Sequence, residues 1–153
     1  MNKIILTYGT FDMFHIGHLN LLKRLKNMGD ELIVGVSTDE FNELKGKKTL
    51  IPFEHRAEIV KSIKYVDKVI PEQSWDQKVN DIKQYNVSIF AMGDDWKGKF
   101  DYLKDYCEVV YLPRTADVST TQLKKSLTNF LSISKEDIIN AFDIIEQLKK
   151  DLL

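Results

Sequence analysis

Two histidines stand three residues apart in the segment from Tyr8 to His18, which reads YGTFDMFHIGH. At this spacing His15 and His18 can lie on one face as the chain enters a helix. The intervening Gly17 lets backbone approach a ligand closely. Both imidazoles could then donate hydrogen bonds to one phosphoryl group. The segment is therefore predicted to be a reaction centre for phosphate chemistry, the alternative being a helix cap and an ordinary surface histidine.

The elements on either side of this segment favour the phosphate interpretation. The apolar run 4–6 is typical of a short strand, and apolar residues recur at helical spacing from Leu19 to Met28. The segment is thus a strand-to-helix turn, where the first N–H groups of the helix and its dipole favour an anion. Gly9 and Thr10 lie in the same turn, which adds weight to a ligand site.

Strand and helix patterns alternate along the rest of the chain. The fold class predicted is α/β, a Rossmann-like three-layer sandwich with a five-stranded parallel sheet and an extra C-terminal helix. Residues 1–131 form the predicted domain, and 132–153 are an extension rather than a second domain. Ser134 and Asp137 make a capping box before an apolar stripe at helical spacing. That stripe could pack on the protein's own body, form a dimer contact or bind a partner.

Further candidate residues fall where parallel strands end, which is the edge at which α/β sheets bind ligands. Asp94 and Asp95 follow one predicted strand, and Arg114 follows another. The hydroxyl-rich run 119–121 opens a helix and predicts a second phosphate site. Segment 42–50 is predicted to be a mobile loop whose lysines could close over a triphosphate, the alternative being a solvated charge run.

Composition excludes several classes of protein. The chain has 153 residues and a net charge of −1, which argues against a general nucleic-acid or membrane-surface binder. Its single cysteine, Cys107, excludes a disulfide framework and a multi-cysteine zinc site. No signal peptide or membrane-spanning run is apparent. A cytoplasmic protein without membrane insertion is expected.

Four stretches together resemble the small cytidylyltransferases of the HxGH nucleotidyltransferase superfamily. They are YGTFD with HxGH in 8–18, EHR in 54–56, MGDDW in 92–96, and RT at 114–115 leading to STT at 119–121. The resemblance covers roughly residues 3–128. It implies transfer of a cytidylyl group from CTP, accompanied by Mg²⁺, to glycerol 3-phosphate, and a homodimer is expected. Another phosphorylated acceptor, or a nucleotide-sensing module without catalysis, remains an alternative.

The resemblance also assigns roles to individual residues. The implied catalytic groups are His15, His18, Lys45 and Arg114. The nucleotide site implied comprises these four with Gly9, Thr10, Phe11, Gly17, Arg56, Asp94, Asp95, Thr115, Ser119, Thr120 and Thr121. The acceptor would contact Lys47, Trp75 and Lys78, and Asp12 is the candidate protein ligand for the divalent ion.

Overall fold

A computed structural model describes residues 1–114 and 120–153 and contains one parallel sheet. The strands lie in the order β3-β2-β1-β4-β5, and each neighbouring pair is parallel. Their bounds are β1 Ile4–Gly9, β2 Glu31–Ser37, β3 Lys68–Glu72, β4 Ile89–Gly93 and β5 Glu108–Leu112. This arrangement confirms the predicted α/β fold. It also brings the carboxyl ends of the central strands to one edge.

Helices cover both faces of the sheet. On one face, α1 (Ile16–Lys26) and α3 (Phe53–Lys61) bury Leu22, Leu25 and Val60 against the strands. On the other, α4 (Gln77–Gln84) and a 3₁₀ helix at Asp101–Asp105 bury Ile82 and Leu103. The strands are apolar on both sides because both of their faces are covered. The short helix α2 (Asp39–Leu44) and a 3₁₀ turn at Asp94–Trp96 lie directly after β2 and β4.

The chain forms two compact units. The first contains the sheet, α1 to α4 and the chain through Arg114. The second contains α5 (Thr120–Leu131) and α6 (Lys135–Leu152). The predicted C-terminal helix is thus present as α6. One half of its predicted capping box is present, because the Ser134 hydroxyl accepts a hydrogen bond from the Asp137 N–H at 3.0 Å.

Part of the predicted lysine loop is helical. Asn42 to Leu44 belong to α2, whose N-terminus is capped by the Thr38 hydroxyl through the Phe41 N–H. A six-residue helix is too short to show the periodicity that sequence patterns rely on. The non-helical lysine segment therefore begins at Lys45, the C-cap of α2.

The third strand continues through a proline, a residue that usually interrupts a sheet. Pro71 lies within β3, in register with Val36 of β2. This is possible because β3 is an edge strand, where a missing N–H need not interrupt the sheet. The Pro71 carbonyl accepts a hydrogen bond from the Gln77 side chain at 2.9 Å.

No helix within the described ranges is long and apolar enough to cross a membrane.

Candidate active site

The turn after β1 holds two non-glycine residues in the left-handed region. Phe11 has φ 53° and Met13 has φ 49°, conformations that carry a steric cost for residues with a Cβ. The Phe11 ring folds back over Gly9, where an added Cβ would lie 2.7 Å from Phe11 Cε2. Gly9 is therefore required by the shape of the turn itself. Backbone strain of this kind is typical of sites that hold side chains in a fixed geometry.

The two histidines cap α1 and stack on each other. His15 is the N-cap, and its Nδ1 accepts a hydrogen bond from the Gly17 N–H at 3.0 Å. His18 Nδ1 accepts one from the His15 N–H at 3.1 Å, and the ring centroids are 3.9 Å apart. A neutral ring that accepts at Nδ1 carries its hydrogen on Nε2. The cap is therefore present, and it uses only Nδ1 of each ring. The two interpretations do not exclude each other, since a donor is carried by Nε2, and the ligand role remains a prediction.

The surroundings keep both imidazoles neutral. Burial lowers the pKa of His15. For His18, burial is the largest cause and the neighbouring His15 adds to it, so its pKa falls to about 4 despite the opposing effect of Asp12. At neutral pH the pair consequently presents N–H dipoles rather than two positive charges. Preorganised dipoles can stabilise an oxyanion without the cost of burying an ion.

Lys45 brings a cation to the same edge of the sheet. Its Nζ lies 3.2 Å from the Ser37 hydroxyl, 3.9 Å from Glu72 Oε1 and 4.4 Å from the centre of the Phe41 ring. Burial is the main cause that lowers its pKa to about 8, and the nearby ammonium groups of Lys47 and Lys78 lower it further, while Glu72 opposes the shift. Lys45 is thus a cation whose charge is only partly compensated before an anionic ligand arrives.

A small cleft joins the turn to three of the other predicted residues, Lys45, Lys47 and Trp75. We call it the central cleft. It brings Gly9, Thr10, Lys45, Lys47 and Trp75 together, as the resemblance implied, and its remaining lining residues are Tyr8, Ser37, Glu72, Met92, Trp96 and Phe100. In this cleft the carboxyl ends of β1 and β2 therefore face the aromatic side chains of Trp75, Trp96 and Phe100.

Arg56 lies behind the turn as a buried tie between loops. Its guanidinium is fully buried and donates hydrogen bonds to the carbonyls of Thr10, Ser37 and Ile51 at 2.7–2.8 Å. It also pairs with the Asp39 carboxylate at 2.7 Å. The structure thus places Arg56 where it frames the site through the backbone, and its assignment to the nucleotide site remains a prediction.

Asp12 joins the turn to the lysine segment. It is 2 % exposed, and its two carboxylate oxygens accept hydrogen bonds from the N–H groups of Leu50 and Ile51 at 2.9 and 3.0 Å. These contacts do not favour Asp12 as a metal ligand. Nor do residues 1–114 and 120–153 contain any group of three or more histidine, cysteine or acidic side chains arranged to hold a metal ion. The described residues therefore do not form a protein cage for a divalent ion.

We expect Asp12→Asn to loosen segment 45–51 without unfolding the protein. The amide would offer one acceptor where the carboxylate offers two, so one of the Leu50 and Ile51 N–H groups would lose its partner. Hydrogen exchange should then become faster at Leu50 and Ile51 than in the parent protein. Asp30→Asn, which alters a surface carboxylate bonded to the Lys3 N–H, is the matched control. Unchanged exchange at both amides would contradict this role.

The remaining predicted residues that the structure describes follow β4 or β5, or begin α5 in the second unit. Asp94 and Asp95 form the 3₁₀ turn after β4, and Asp95 pairs with Arg114 at 2.7 Å. Thr120 and Thr121 begin α5. Thr115 and Ser119 lie outside the described residues, so the predicted second phosphate site remains a prediction.

Sequence reasoning missed several residues that the fold brings to the cleft. Glu72 is 3 % exposed and contacts Ser37, Lys45 and Lys78. The Asn42 side chain accepts a hydrogen bond from the Thr10 hydroxyl. Glu72 ends β3, so the rule that ligands bind at the carboxyl edge could have identified it. Lys78, which the resemblance assigned to the acceptor phosphate, is 1 % exposed and paired with Glu72 at 2.8 Å.

The chain is similar to known proteins over most of its length. Residues 6–147 match the family model described as "Cytidylyltransferase-like". The chain is 58 % identical over 127 residues to the glycerol-3-phosphate cytidylyltransferase of Bacillus spizizenii, a match that covers 83 % of this chain and 98 % of that protein. It is 53 % identical over 125 residues to the enzyme of the same name from Staphylococcus aureus, which covers 82 % of this chain and 95 % of that one.

A solved structure shows the same fold. The lipopolysaccharide core biosynthesis protein from Thermoplasma volcanium superposes with a TM-score of 0.66 at 25 % identity, and the match covers 75 % of this chain and 99 % of that one.

Proposed function

This chain belongs to the cytidylyltransferase-like family of nucleotidyltransferases, and we propose that it transfers the cytidylyl group of CTP to sn-glycerol 3-phosphate. The products would be CDP-glycerol and pyrophosphate. Support comes from the glycerol-3-phosphate cytidylyltransferases of Bacillus spizizenii and Staphylococcus aureus, to which the chain is more than half identical. The structural observation that carries the proposal is the stacked His15–His18 pair at the N-terminus of α1, with Lys45 at the same sheet edge.

In the proposed reaction, a phosphate oxygen of the acceptor attacks the α-phosphorus of CTP. The new P–O bond forms as the bond between the α-phosphorus and its bridging oxygen breaks, and pyrophosphate leaves with that electron pair. A phosphate monoester is already largely dianionic at neutral pH, so no base is needed to create the nucleophile. The protein's task is to align the two substrates and to stabilise the charge that develops on the transferred group.

The residues described above suit this task. The Nε2–H groups of His15 and His18 would donate to the α-phosphate oxygens, and the dipole of α1 would favour the same charge. Lys45 would bind the nucleotide phosphates and Lys47 the acceptor phosphate. Arg114, Asp94 and Asp95 remain proposed nucleotide contacts. The divalent ion is proposed as part of the substrate, bound through the triphosphate of MgCTP. Because Asp12 is committed to backbone N–H groups, no step is assigned to a protein-held metal.

The cellular location, the partners and the oligomeric state of the protein are proposals as well. The single thiol of Cys107 suits a reducing compartment, which supports a cytoplasmic location. Nucleic acid is not proposed as a partner, because the net charge is −1. The homodimer expected from the sequence remains a prediction.

The deciding experiment measures pyrophosphate release by the purified protein with magnesium. CTP, ATP, UTP and GTP are each paired with glycerol 3-phosphate, phosphoethanolamine, phosphocholine and ribitol 5-phosphate. We expect turnover with CTP and glycerol 3-phosphate. Turnover with another pair would replace the substrate and keep the reaction class, whereas CTP binding without turnover in any pair would indicate a nucleotide-sensing module.

We expect CTP affinity to weaken above pH 8 because of Lys45. Its ammonium is charged below its pKa of about 8 and neutral above it, so the free protein must take up a proton to bind the triphosphate at higher pH. The dissociation constant should rise by up to about tenfold per pH unit above 8. Titration calorimetry between pH 7 and 9.5 measures this. In Lys45→Arg the side chain stays charged throughout, so this contribution to the pH dependence should disappear.

Raising the pH above 8 should increase the stability of the protein through Lys45, whereas it weakens CTP binding. Folding lowers the pKa of Lys45, so the folded state disfavours its charged form, and this cost is relieved as pH rises from about 8 toward the unfolded value of 10.5. The melting temperature of the parent protein should therefore rise relative to that of Lys45→Arg over this interval. Parallel pH dependences of both affinity and melting temperature in the two proteins would contradict the assignment.

A further inference from the structure

The ammonium group of Lys78 occupies a complete site for an alkylammonium ion. Its Nζ lies 4.6 Å from the centre of the Tyr8 ring, 5.0 Å from that of Trp75 and 5.5 Å from that of Phe100. The Glu72 carboxylate completes the site at 2.8 Å. Aromatic faces arranged around a cation are the usual means of recognising alkylated ammonium ligands. Here the side chain of the protein's own lysine is the ligand. We call these four residues the ammonium box.

The ammonium box is also a wall of the central cleft. All four of its residues, Tyr8, Glu72, Trp75 and Phe100, line that cleft. Lys47 and the turn at Gly9 and Thr10 line the same cleft. An acceptor whose phosphate lies between Lys47 and the histidine turn would therefore extend its other end toward the box.

The Glu72 carboxylate of the box already has two ammonium partners. Glu72 is buried, and Lys78 at 2.8 Å and Lys45 at 3.9 Å both contact its carboxylate. A ligand ammonium arriving here would find the carboxylate paired and would meet two positive charges of like sign. A buried charge without a partner carries a large cost. An uncharged alcohol group carries no such cost.

We infer that Lys78 determines acceptor specificity by filling the ammonium box. It would admit phosphorylated alcohols whose far end is uncharged and reject phosphorylated amino alcohols whose far end is an ammonium. This inference rests on the proposed cytidylyl transfer, because it concerns the acceptor of that reaction. It assigns Lys78 a role that differs from a direct contact with the acceptor phosphate.

Binding of propylammonium to Lys78→Ala tests the box without measuring activity. Alanine removes three carbons and the ammonium, and propylammonium has the size and charge of the missing atoms. We expect propylammonium chloride to raise the melting temperature of Lys78→Ala more than sodium chloride does at equal concentration. Lys78→Met, whose side chain fills the box, should show no such difference. An equal response to both salts in a folded Lys78→Ala protein would overturn the inference.

Acceptor competition supplies the second readout. The ratio of kcat/KM for phosphoethanolamine to that for glycerol 3-phosphate, with CTP as donor, should rise at least about tenfold in Lys78→Ala. It should not rise in Lys78→Met. Added propylammonium should return the ratio toward that of the parent protein. A ratio that is unchanged in Lys78→Ala overturns the inference.

Failure of the two proposals can be told apart. If the parent protein turns over none of the substrate pairs, the proposed function fails, and the propylammonium experiment still decides whether the box is a cation site. If Lys78→Ala does not fold because Glu72 has lost its closer ammonium partner, the double variant with Glu72→Gln removes that buried charge. In the double variant the space between the aromatic rings is still empty. The ratio of kcat/KM for phosphoethanolamine to that for glycerol 3-phosphate should therefore still rise, and an unchanged ratio would equally overturn the inference.

Discussion

Replacing His18 by alanine should lower turnover about a hundredfold or more while the protein stays folded. The variant loses the Nε2–H that would stabilise charge on the transferred phosphoryl group, and one preorganised donor of this kind contributes about 2.7–4 kcal/mol to lowering the barrier. Turnover at saturating CTP and glycerol 3-phosphate, with a melting curve of the same sample, measures the effect. His55→Ala is the matched control, since His55 is exposed on α3.

A second variant separates catalysis from helix capping. His18 Nδ1 accepts the His15 N–H, so alanine also removes part of the cap of α1. Glutamine at the same helix position can accept that N–H, as in a standard capping box. We expect His18→Gln to recover stability without recovering turnover. Recovery of turnover would mean that His18 acts through the cap, and near-normal turnover of His18→Ala would remove it from the mechanism.

Arg56→Met should cost at least about 3 kcal/mol of unfolding free energy, because three carbonyl groups lose a buried donor and each such loss costs about 1–3 kcal/mol. The carbonyls belong to Thr10 in the turn after β1, Ser37 at the end of β2 and Ile51 before α3. Activity should fall together with stability, because Arg56 no longer links the turn at Thr10 to the segment at Ile51. Chemical denaturation monitored by tryptophan fluorescence measures the loss.

Arg24→Met is the control for this variant. Arg24 is only partly buried and donates to a single carbonyl, that of Pro113, so we expect a change below about 1 kcal/mol. If Arg56→Met were as stable as Arg24→Met, the tie between loops would have no energetic importance. A stable but inactive Arg56→Met would instead favour the role in the nucleotide site that the family resemblance implied.

Much of the frame of the site follows from local patterns. Buried parallel strands read as continuous apolar runs, and a helix that follows a glycine-containing turn places its first N–H groups at the sheet edge. Thus β1, α1 and the histidine turn could be predicted, as could the fold class, because each depends on residues close in sequence. Lys45 was found for the same reason, since it lies in a short basic segment after a strand.

The electrostatic roles could not be predicted, because they depend on distant residues. Asp12 accepts N–H groups 38 and 39 positions away, and Arg56 bonds a carbonyl 46 positions away. Glu72 ends a strand and so lies at the ligand-binding edge of the sheet, but nothing in the local sequence shows that Glu72 or Lys78 is buried. Their burial arises only when α4 packs over the sheet and brings the aromatic side chains around them. The α2 helix was missed because three of its residues fell in a stretch that looked like a polar loop.

The proline in β3 bears on how the protein behaves when it is concentrated. An exposed sheet edge can recruit a strand from another molecule and so begin aggregation. At Pro71 this edge has no N–H to offer, and its carbonyl is already bonded to Gln77. A foreign strand would therefore find a gap in the ladder and would have to displace a side chain to gain one bond. Pro71 thus protects the β3 edge against strand recruitment, so aggregation through this edge is disfavoured even at high protein concentration.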